Sequence, residues 1–336
     1  METKSKTSVI KTGAIWIILV VLIALVALVA INVGSAAYSV KQIVSALFSS
    51  EKSTVKIVVM NLRLPRVILA MLIGSSLSAS GALLQSVMRN PLADPGTIGV
   101  SAGAGTAATT ILLLFPHMTN AVPLFAFGGA ALACALIYSL AWKGGVDPVR
   151  IILSGVAVNS VLGAYNALLQ MLHSDSLEGV LAFMNGSLSG RNWTHVRIAI
   201  IYAGIGLVLS LLCIKHANTL QLGDEVASSL GVNVSKTRIV LSSISAFLAA
   251  ATVSVAGMIG FVGLVVPHIS RMLVGSDYKK MLPTSLLLGS LVLLIADTVG
   301  RTVVPGMEIP VGIVMSVVGG PFFLYMLRKK GKVSGH

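Results

Sequence analysis

Charged residues are scarce in this sequence, and their scarcity excludes an ordinary water-soluble domain. Only 10% of the 336 residues are charged, 55% are hydrophobic, and the mean hydropathy is +0.93. Soluble domains carry about 25% charged residues, so this chain cannot cover itself with polar groups in water. The composition predicts a protein whose surface lies mainly in lipid.

Motifs for chemistry are also missing. The two cysteines, Cys134 and Cys213, lie in apolar runs and form no disulfide or metal framework, so we interpret them as small buried side chains. No histidine pair has metal-ligand spacing, and there is no H-E-x-x-H, which argues against a metal site or an enzyme. A G-x-x-x-x-G-K-[ST] string is absent too, so the chain does not hold ATP by itself. The net charge of +13 falls in short breaks between apolar runs, which argues against nucleic-acid binding.

Long apolar runs are what the sequence does have. A membrane-spanning helix needs about 20 apolar residues. The candidate spans are 13–33, 67–88, 97–115, 121–142, 150–171, 196–214, 237–257, 258–270, 280–300 and 309–327. The first of them follows three lysines and resembles a signal peptide, but it is longer than the 7 to 15 apolar residues of a signal sequence. We therefore expect it to remain as a membrane helix.

Charge decides whether the short segment 258–270 counts as a crossing. Both termini are rich in lysine and arginine, which favour the cytoplasm, so the number of crossings must be even. We therefore expect ten spans, with 258–270 as a broken or tilted helix packed inside protein. On this topology 16 of the 24 lysines and arginines lie on the cytoplasmic side. Arg63, Arg66 and Arg301 are exceptions, since each lies at an outer helix end.

Two stretches hint at an internal repeat. "RLPRVILAMLIGSSLSASGALLQ" and "KTRIVLSSISAFLAAATVSVAGMIG" each begin with basic residues and continue into a helix rich in small residues. A shorter, Gly- and Pro-broken apolar segment follows each one. The predicted fold is therefore an all-α polytopic membrane protein of about ten transmembrane helices with a weak inverted repeat, in one domain over 1–336.

Three connecting segments carry local signals. In "RNPLADPGTIGVSAGAG", Asn90 and Asp94 each precede proline, which disfavours helix there and predicts a sharp turn. The cytoplasmic segment 215–238 predicts a short helix that starts after Gly223, with Asp224 and Glu225 in its first turn and Gly231 as its C-cap. The outer segment 173–197 predicts another short helix.

Four strings together resemble the FecCD-like permease subunits of ABC importers for iron–siderophores, haem and vitamin B12. They are "LRLPR", the "RNPLADPG" turn, "GFVGLVVPHISR", and the stretch from "LPTSLLLGSLVLL" to "GGPFFLYMLR". The resemblance implies ten helices per subunit and a pore formed with a second, identical or paralogous permease. It also implies two ATPase subunits that use ATP and magnesium, an extracytoplasmic binding protein, and a multi-pass location in the cell membrane with both termini cytoplasmic.

The resemblance also implies roles for particular residues. The cytoplasmic gate would be Asn90, Pro91, Leu92 and Ala93. The element that couples to the ATPase would be Gly223, Asp224, Glu225, Ala227, Leu230 and Gly231. Arg63, Arg66 and Arg301 would be exposed and would dock the binding protein through its carboxylates, because a guanidinium binds a carboxylate at two points.

The cargo and the transport class stay open at the level of sequence. Ferric siderophore is the first expectation, and vitamin B12 or haem is the alternative. A carrier acting alone on an ion gradient, or a channel, is the alternative of another class. Such a carrier usually needs a buried ionisable residue. Asp297 is the candidate, but Arg301 stands four residues later, which predicts a local ion pair.

Overall fold

The structure, a computed structural model, describes residues 2–33, 54–142, 147–304 and 306–331. Within these ranges the chain is helical and contains no β-strand. The helices, labelled in chain order, are α1 (Glu2–Asn32), α2 (Leu64–Val87), α3 (Val100–Leu114), α4 (Val122–Ala141), α5 (Pro148–Leu172), α6 (Glu178–Met184), α7 (Trp193–Leu212), α8 (Ile214–Gln221), α9 (Asp224–Ser229), α10 (Val234–Ala256), α11 (Val262–Val274), α12 (Tyr278–Gly300) and α13 (Val311–Gly331). A short α-helix, Thr54–Val58, and a π-helical turn, Val59–Arg63, lead directly into α2.

Every predicted span overlaps a helix, and the span 258–270 is displaced relative to its helix, Val262–Val274. In the described part of the chain, seven helices are long and apolar enough to cross a membrane, and α3, α11 and α13 contribute shorter apolar stretches. At 13 residues, α11 rises only about 20 Å, short of the roughly 30 Å of a bilayer core. A short helix of this kind is stable at membrane depth only where protein surrounds it.

The direction of α12 supports counting α11 as a crossing. Trp16 donates a hydrogen bond to Thr284 Oγ1 at 2.9 Å, and Arg301 donates to the carbonyl of Ala30 at 3.2 Å. α1 and α12 therefore run side by side in the same direction. If α11 did not cross, α12 would run opposite to α1. The even number of crossings argued from charge agrees with this pairing.

Helices α2 and α10 form the centre of the bundle. In their apolar windows 83% and 78% of the residues are buried, compared with 11% in α1, which lies at the perimeter. Helix α2 packs against α7, α10, α11 and α12. Both central helices are followed by a break and a shorter helix, which matches the weak inverted repeat seen in the sequence.

Small residues let these helices approach closely. A Cβ on Gly74 would collide with the carbonyl of Gly289 in α12, and one on Gly81 would collide with Gly263 in α11. Between α2 and α10, Ser80 donates to the carbonyl of Ser245 at 2.6 Å and Ser245 donates back to the carbonyl of Ser80 at 2.8 Å. Close backbone approach and interhelical hydrogen bonds are what hold helices together in lipid.

Non-helical backbone inside the bundle donates hydrogen bonds to carbonyls at the C-terminal ends of neighbouring helices. Ser187 donates to the carbonyl of Ala256 at 2.8 Å, and Met258 donates to the carbonyl of Phe183 at 2.9 Å. These bonds join the segment after α6 to the break between α10 and α11. Such pairing explains how irregular segments remain stable away from water.

The helix bundle has two ends, the Asn90 end and the Asp297 end. The Asn90 end holds the C-terminus of α2, helices α8 and α9, and the N-termini of α10 and α12. The Asp297 end holds the C-termini of α1 and α12 and the N-terminus of α2. Lys41, Lys52, Lys143 and Lys332, which contributed to the charge argument, lie outside the described residues.

Candidate functional site

A tight turn follows α2 at the Asn90 end. The Asn90 carboxamide oxygen accepts a hydrogen bond from the amide of Leu92 at 2.9 Å, and the carbonyl of Asn90 accepts from the amide of Ala93 at 3.1 Å. Pro91 has no amide hydrogen, and the side chain of Ala93 is buried. The turn predicted from the Asn-Pro pair is confirmed, and its shape is held by local bonds.

A short 3-10 helix, Pro95–Ile98, carries the chain from this turn to α3. The Asp94 carboxylate accepts a hydrogen bond from the amide of Gly96 at 2.8 Å and so caps the helix. Gly99 has φ +82°, a left-handed conformation that suits glycine, and lies against Ile137 of α4. The Asn90 turn is therefore fixed to the bundle on both sides.

The segment 215–238 contains the predicted short helix and one more. Helix α9 begins after Gly223, which has φ +105°, and carries Asp224 and Glu225 in its first turn. Its end is a Schellman motif: Val232 donates to the carbonyl of Ala227 at 3.1 Å and Gly231 to that of Ser228 at 2.9 Å. The short helix and its Gly231 cap are confirmed. Helix α8, which precedes it, was not predicted.

Helix α9 is anchored on one side and apolar on the other. Ala227 is fully buried, and the Asp224 carboxylate receives a hydrogen bond from Arg238 of α10 at 2.9 Å. On the opposite side Leu222, Val226 and Leu230 are 58%, 45% and 62% exposed. Val226 and Leu230, four residues apart, lie on one face of α9, and Leu222 precedes Gly223 at the start of the helix. We call these three exposed apolar side chains the α9 ridge.

Five charged residues cluster at the Asp297 end. Arg66 Nε lies 3.1 Å from both Asp297 carboxylate oxygens, and Arg66 Nη1 donates to Glu308 at 2.7 Å. Arg301 Nε lies 3.4 Å from the same Asp297 carboxylate, which confirms the predicted ion pair. Arg63 donates to the carbonyls of Ile31 and Asn32 at 2.7 and 2.9 Å.

Burial corrects one expectation about the three arginines. Arg63 is 5% exposed, and the side chains of Arg66 and Arg301 are 11% and 4% exposed. They are therefore not the exposed side chains that the sequence suggested, because they are drawn inward by carboxylates and helix-end carbonyls. Glu308, whose side chain is 44% exposed, is the member of the cluster that reaches the surface.

The sequence missed Glu308 and the bond between Arg66 and Asp297. Asp297 and Arg301 are neighbours on one helix, so spacing reveals their pair. Arg66 and Asp297 are 231 positions apart, and only the packing of α2 on α12 brings them together. The available signal was the charge itself, since buried ionic groups need partners.

Metal and thiol chemistry find no support in the described residues. No group of three or more His, Cys, Asp or Glu side chains there is arranged to hold a metal ion. Cys134 and Cys213 are free thiols, the first buried and the second half-buried.

Comparison with known proteins bears on the whole length of the chain. The profile of the FecCD transport family matches residues 19–329. The chain belongs to the FecCD transport family. It is thus a multi-pass membrane permease, and the α9 ridge, the Asn90 turn and the charged cluster are features of a permease subunit.

Curated relatives of this permease serve several import systems. The Fe(3+)-citrate import system permease protein YfmE of Bacillus subtilis is 39% identical over 299 residues, which cover 89% of this chain and 90% of that protein. The cobalamin import system permease protein BtuC of Halobacterium salinarum is 40% identical, with coverages of 82% and 75%. The hemin transport system permease protein HmuU of Yersinia pestis is 39% identical, with coverages of 82% and 85%.

A solved structure agrees with the fold. A metal-chelate type ABC transporter in an inward-facing conformation superposes with a TM-score of 0.81 at 28% identity. The match covers 94% of this chain and 99% of the other.

Proposed function

We propose that this permease moves a ferric siderophore from an extracytoplasmic binding protein into the cytoplasm, driven by ATP hydrolysis on separate subunits. The family match over residues 19–329 carries the proposal, together with relatives named for ferric citrate and hydroxamate import. The working assembly holds a second permease, identical or paralogous, two ATPase subunits and the binding protein. In this proposal the Asn90 end and both termini face the cytoplasm of a cell-membrane protein.

The test of cargo and energy source uses the permease reconstituted with its ATPase and binding-protein partners. We expect uptake of radioactive ferric siderophore only when ATP is present inside the vesicles. Uptake of cobalamin or haem instead, under the same conditions, would reassign the cargo. Uptake without ATP under an ion gradient would identify an autonomous carrier and overturn the proposal.

Helix α9 is proposed as the element that couples to the ATPase. Its support is mechanical: both ends are fixed by glycine geometry, Asp224 is tied to Arg238, and the exposed α9 ridge offers apolar contact area. Of the residues assigned to coupling, Gly223, Asp224, Ala227 and Gly231 hold the helix, while Glu225 and Leu230 are exposed for contact. A capped helix of this kind transmits a displacement that a floppy loop would absorb.

The Asn90–Ala93 turn is proposed as the cytoplasmic gate, close to the same turn of the second permease. Asn90 and Leu92 are half-exposed, and local bonds hold the turn. Cysteines at these two positions, in a background where Cys134 and Cys213 are alanine, should cross-link between subunits and block uptake. Reaction of both cysteines with soluble reagent, with no inter-subunit product in any nucleotide state, contradicts this role.

Docking of the binding protein is proposed at Arg63, Arg66 and Arg301. Arg66 and Arg301 share the carboxylate of Asp297, and Arg66 also holds Glu308, whose side chain is 44% exposed. Because most of the Arg66 side chain is buried, a partner can reach it mainly at the position where Glu308 now lies. A carboxylate of the binding protein would therefore replace Glu308 there.

The docking test follows from this competition. Glu308→Gln should tighten docking about threefold at low salt, and the gain should shrink as salt rises. The matched control is Glu178→Gln, an exposed acid at the same end that makes no bond to Arg66. Unchanged or weaker docking by Glu308→Gln at low salt would show that Arg66 does not receive the partner.

A further inference from the structure

A polar cavity opens at the Asn90 end beside the proposed coupling helix. It measures about 460 Å³ and is lined by the C-terminus of α2, the Asn90 turn, α8, α11 and the first residue of α12. Among the described residues, its lining includes Arg89, His268 and Arg271 and no aspartate or glutamate. A cavity with two guanidiniums and no carboxylate is suited to an anion.

Arg271 is held in place by neutral groups. Its Nη2 donates to the side-chain oxygen of Gln85, and the Gln85 amide nitrogen donates to the carbonyl of Gly263 at 3.2 Å. The Tyr278 hydroxyl, at the cavity wall, donates to the carbonyl of Ala82 at 2.5 Å. Gln221 Nε2, buried in the wall of the same cavity, has no hydrogen-bond partner in the part of the chain that the structure describes. The cavity therefore presents fixed donors, and its described lining contains no acidic side chain to pair with them.

Arg89 adopts a backbone conformation that arginine rarely takes. It has φ +47°, directly after the last turn of α2, where glycine is usual. A non-glycine residue in this region is strained because its Cβ comes too close to the following carbonyl oxygen. Strain of this kind is often kept where the side chain has a task. The Arg89 side chain lies against Gly223 at the start of α9, with Nη2 3.5 Å from where a Cβ of Gly223 would stand.

The cavity lies at the end of the helix bundle and not on its lipid-facing side. The C-terminal end of α2, the most buried of the candidate spans, forms part of its lining. Gln221 in its wall is followed by Leu222, the first residue of the α9 ridge. A partner that covers the ridge would therefore reach the cavity.

We propose that this cavity receives a carboxylate side chain of the ATPase subunit, which pairs with Arg89 and Arg271 while apolar groups cover the α9 ridge. The inference rests on the proposed function and adds the chemistry of the contact. Because Arg89 also touches Gly223, the same ion pair would join the Asn90 turn to α9, so that ATPase movement reaches both.

The test measures ATPase affinity for the full-length permease in nanodiscs of neutral lipid. Arg89→Gln and Arg271→Gln should each weaken binding about tenfold at low salt. Arg328→Gln is the matched control, since it removes an exposed arginine near the C-terminus of α13 at the same end. A carbodiimide, which joins an amine to a carboxylate without a spacer, should link Arg89→Lys but not Arg328→Lys to the ATPase.

The outcomes separate this inference from the proposed function. If the parent permease binds no ATPase at all, the proposed function fails. If the parent binds and hydrolyses ATP but Arg89→Gln binds equally well, the cavity does not hold a partner carboxylate. Loss of retained phosphatidylglycerol by the variants, with ATPase affinity unchanged, would assign the cavity to lipid and overturn the inference. Arg89 is exposed, so its variants keep the test valid even if Arg271→Gln folds poorly.

Discussion

The two ends of this permease handle positive charge in opposite ways. At the Asp297 end, Arg66 and Arg301 share the carboxylate of Asp297 within hydrogen-bonding or ion-pair distance. At the Asn90 end, Arg89 and Arg271 line a cavity whose described lining residues include no carboxylate. The cluster at the first end contains counter-ions for its arginines, whereas the described lining of the cavity at the second end does not.

The difference separates stability from assembly. Buried ionic groups that pair within the chain help to hold α1, α2 and α12 together. Removing one partner leaves the remaining buried charge unpaired, which is destabilising. Guanidiniums without an internal anion cost the isolated subunit little while water reaches them, and they become valuable when a partner brings a carboxylate. We therefore expect substitutions at the first end to change unfolding and substitutions at the second end to change binding.

The largest effect should come from Arg66. Arg66→Gln leaves the buried Asp297 with Arg301 alone and removes the partner of Glu308, so we expect a loss of about 3 kcal/mol in the free energy of unfolding. Thermal unfolding of the purified permease in detergent measures this. Arg197→Gln, an exposed arginine at the same end, is the control and should change stability by less than about 0.5 kcal/mol. If both variants lost the same free energy of unfolding, the ion pairs of Arg66 would not stabilise the protein.

The α9 ridge should give the next largest effect, on binding alone. Leu230→Ser takes an exposed apolar side chain from the ridge, so the unfolding temperature should stay unchanged while ATPase affinity falls about tenfold, equivalent to about 1.4 kcal/mol. Leu212→Ser supplies the control, because Leu212 is 71% exposed, compared with 62% for Leu230, and lies on α7 outside the ridge. ATPase binding as tight as that of the parent would mean that the ridge is not a contact.

Two glycines test whether the left-handed cap of α9 contributes to the stability of the Asn90 end. Gly231 has φ +79° at the cap of α9, whereas Gly204 lies inside α7 with open space around it and no positive φ. Gly231→Ala should destabilise by about 1 kcal/mol, and Gly204→Ala should stabilise by about 0.5 to 1 kcal/mol. Chemical or thermal unfolding distinguishes the two signs. The same sign for both would contradict the left-handed cap.

The smallest effect concerns Glu308 and pH. Burial raises the pKa of Glu308, but the hydrogen bond and charge of Arg66 outweigh it, so the pKa lies below its ordinary value of 4.5. A group with a lowered folded pKa stabilises above its unfolded pKa, and this contribution is lost as pH falls through the folded value. The parent should therefore exceed Glu308→Gln in stability by less than about 1 kcal/mol at neutral pH, since the side chain is 44% exposed. The difference in stability between the parent and Glu308→Gln should vanish in acid. A difference that grows in acid would mean that the pKa of Glu308 is raised and not lowered.

Much of the fold was predictable because lipid imposes simple rules. Apolar runs predicted a helix at each of the ten candidate spans, and charge parity predicted a crossing at α11, whose 13 residues alone would not identify a span. Helix α8 was not predicted because its polar sequence, "IKHANTLQ", carries no membrane signal. Its helical form depends on packing against α2 and α12.

The sites were predictable where the signal was local. The Asn90 turn and the Gly223–Gly231 helix follow from proline and glycine within a few positions of one another. The partners of Arg66 and the cavity around Arg271 depend on contacts across more than 180 positions, such as Arg271 to Gln85. No pattern within a short stretch of sequence predicts such contacts. Burial of the three arginines was missed for the same reason.

The reciprocal hydrogen bonds between Ser80 and Ser245 have a consequence for biogenesis. Helix α2 leaves the ribosome long before its partners α10, α11 and α12, so its serines and glycines first meet lipid. Its small-residue faces are matched only when the second half of the chain arrives, about 165 residues later. A nascent chain halted before α10 would therefore leave these faces of α2 unpaired, and quality-control proteases of the membrane should recognise it.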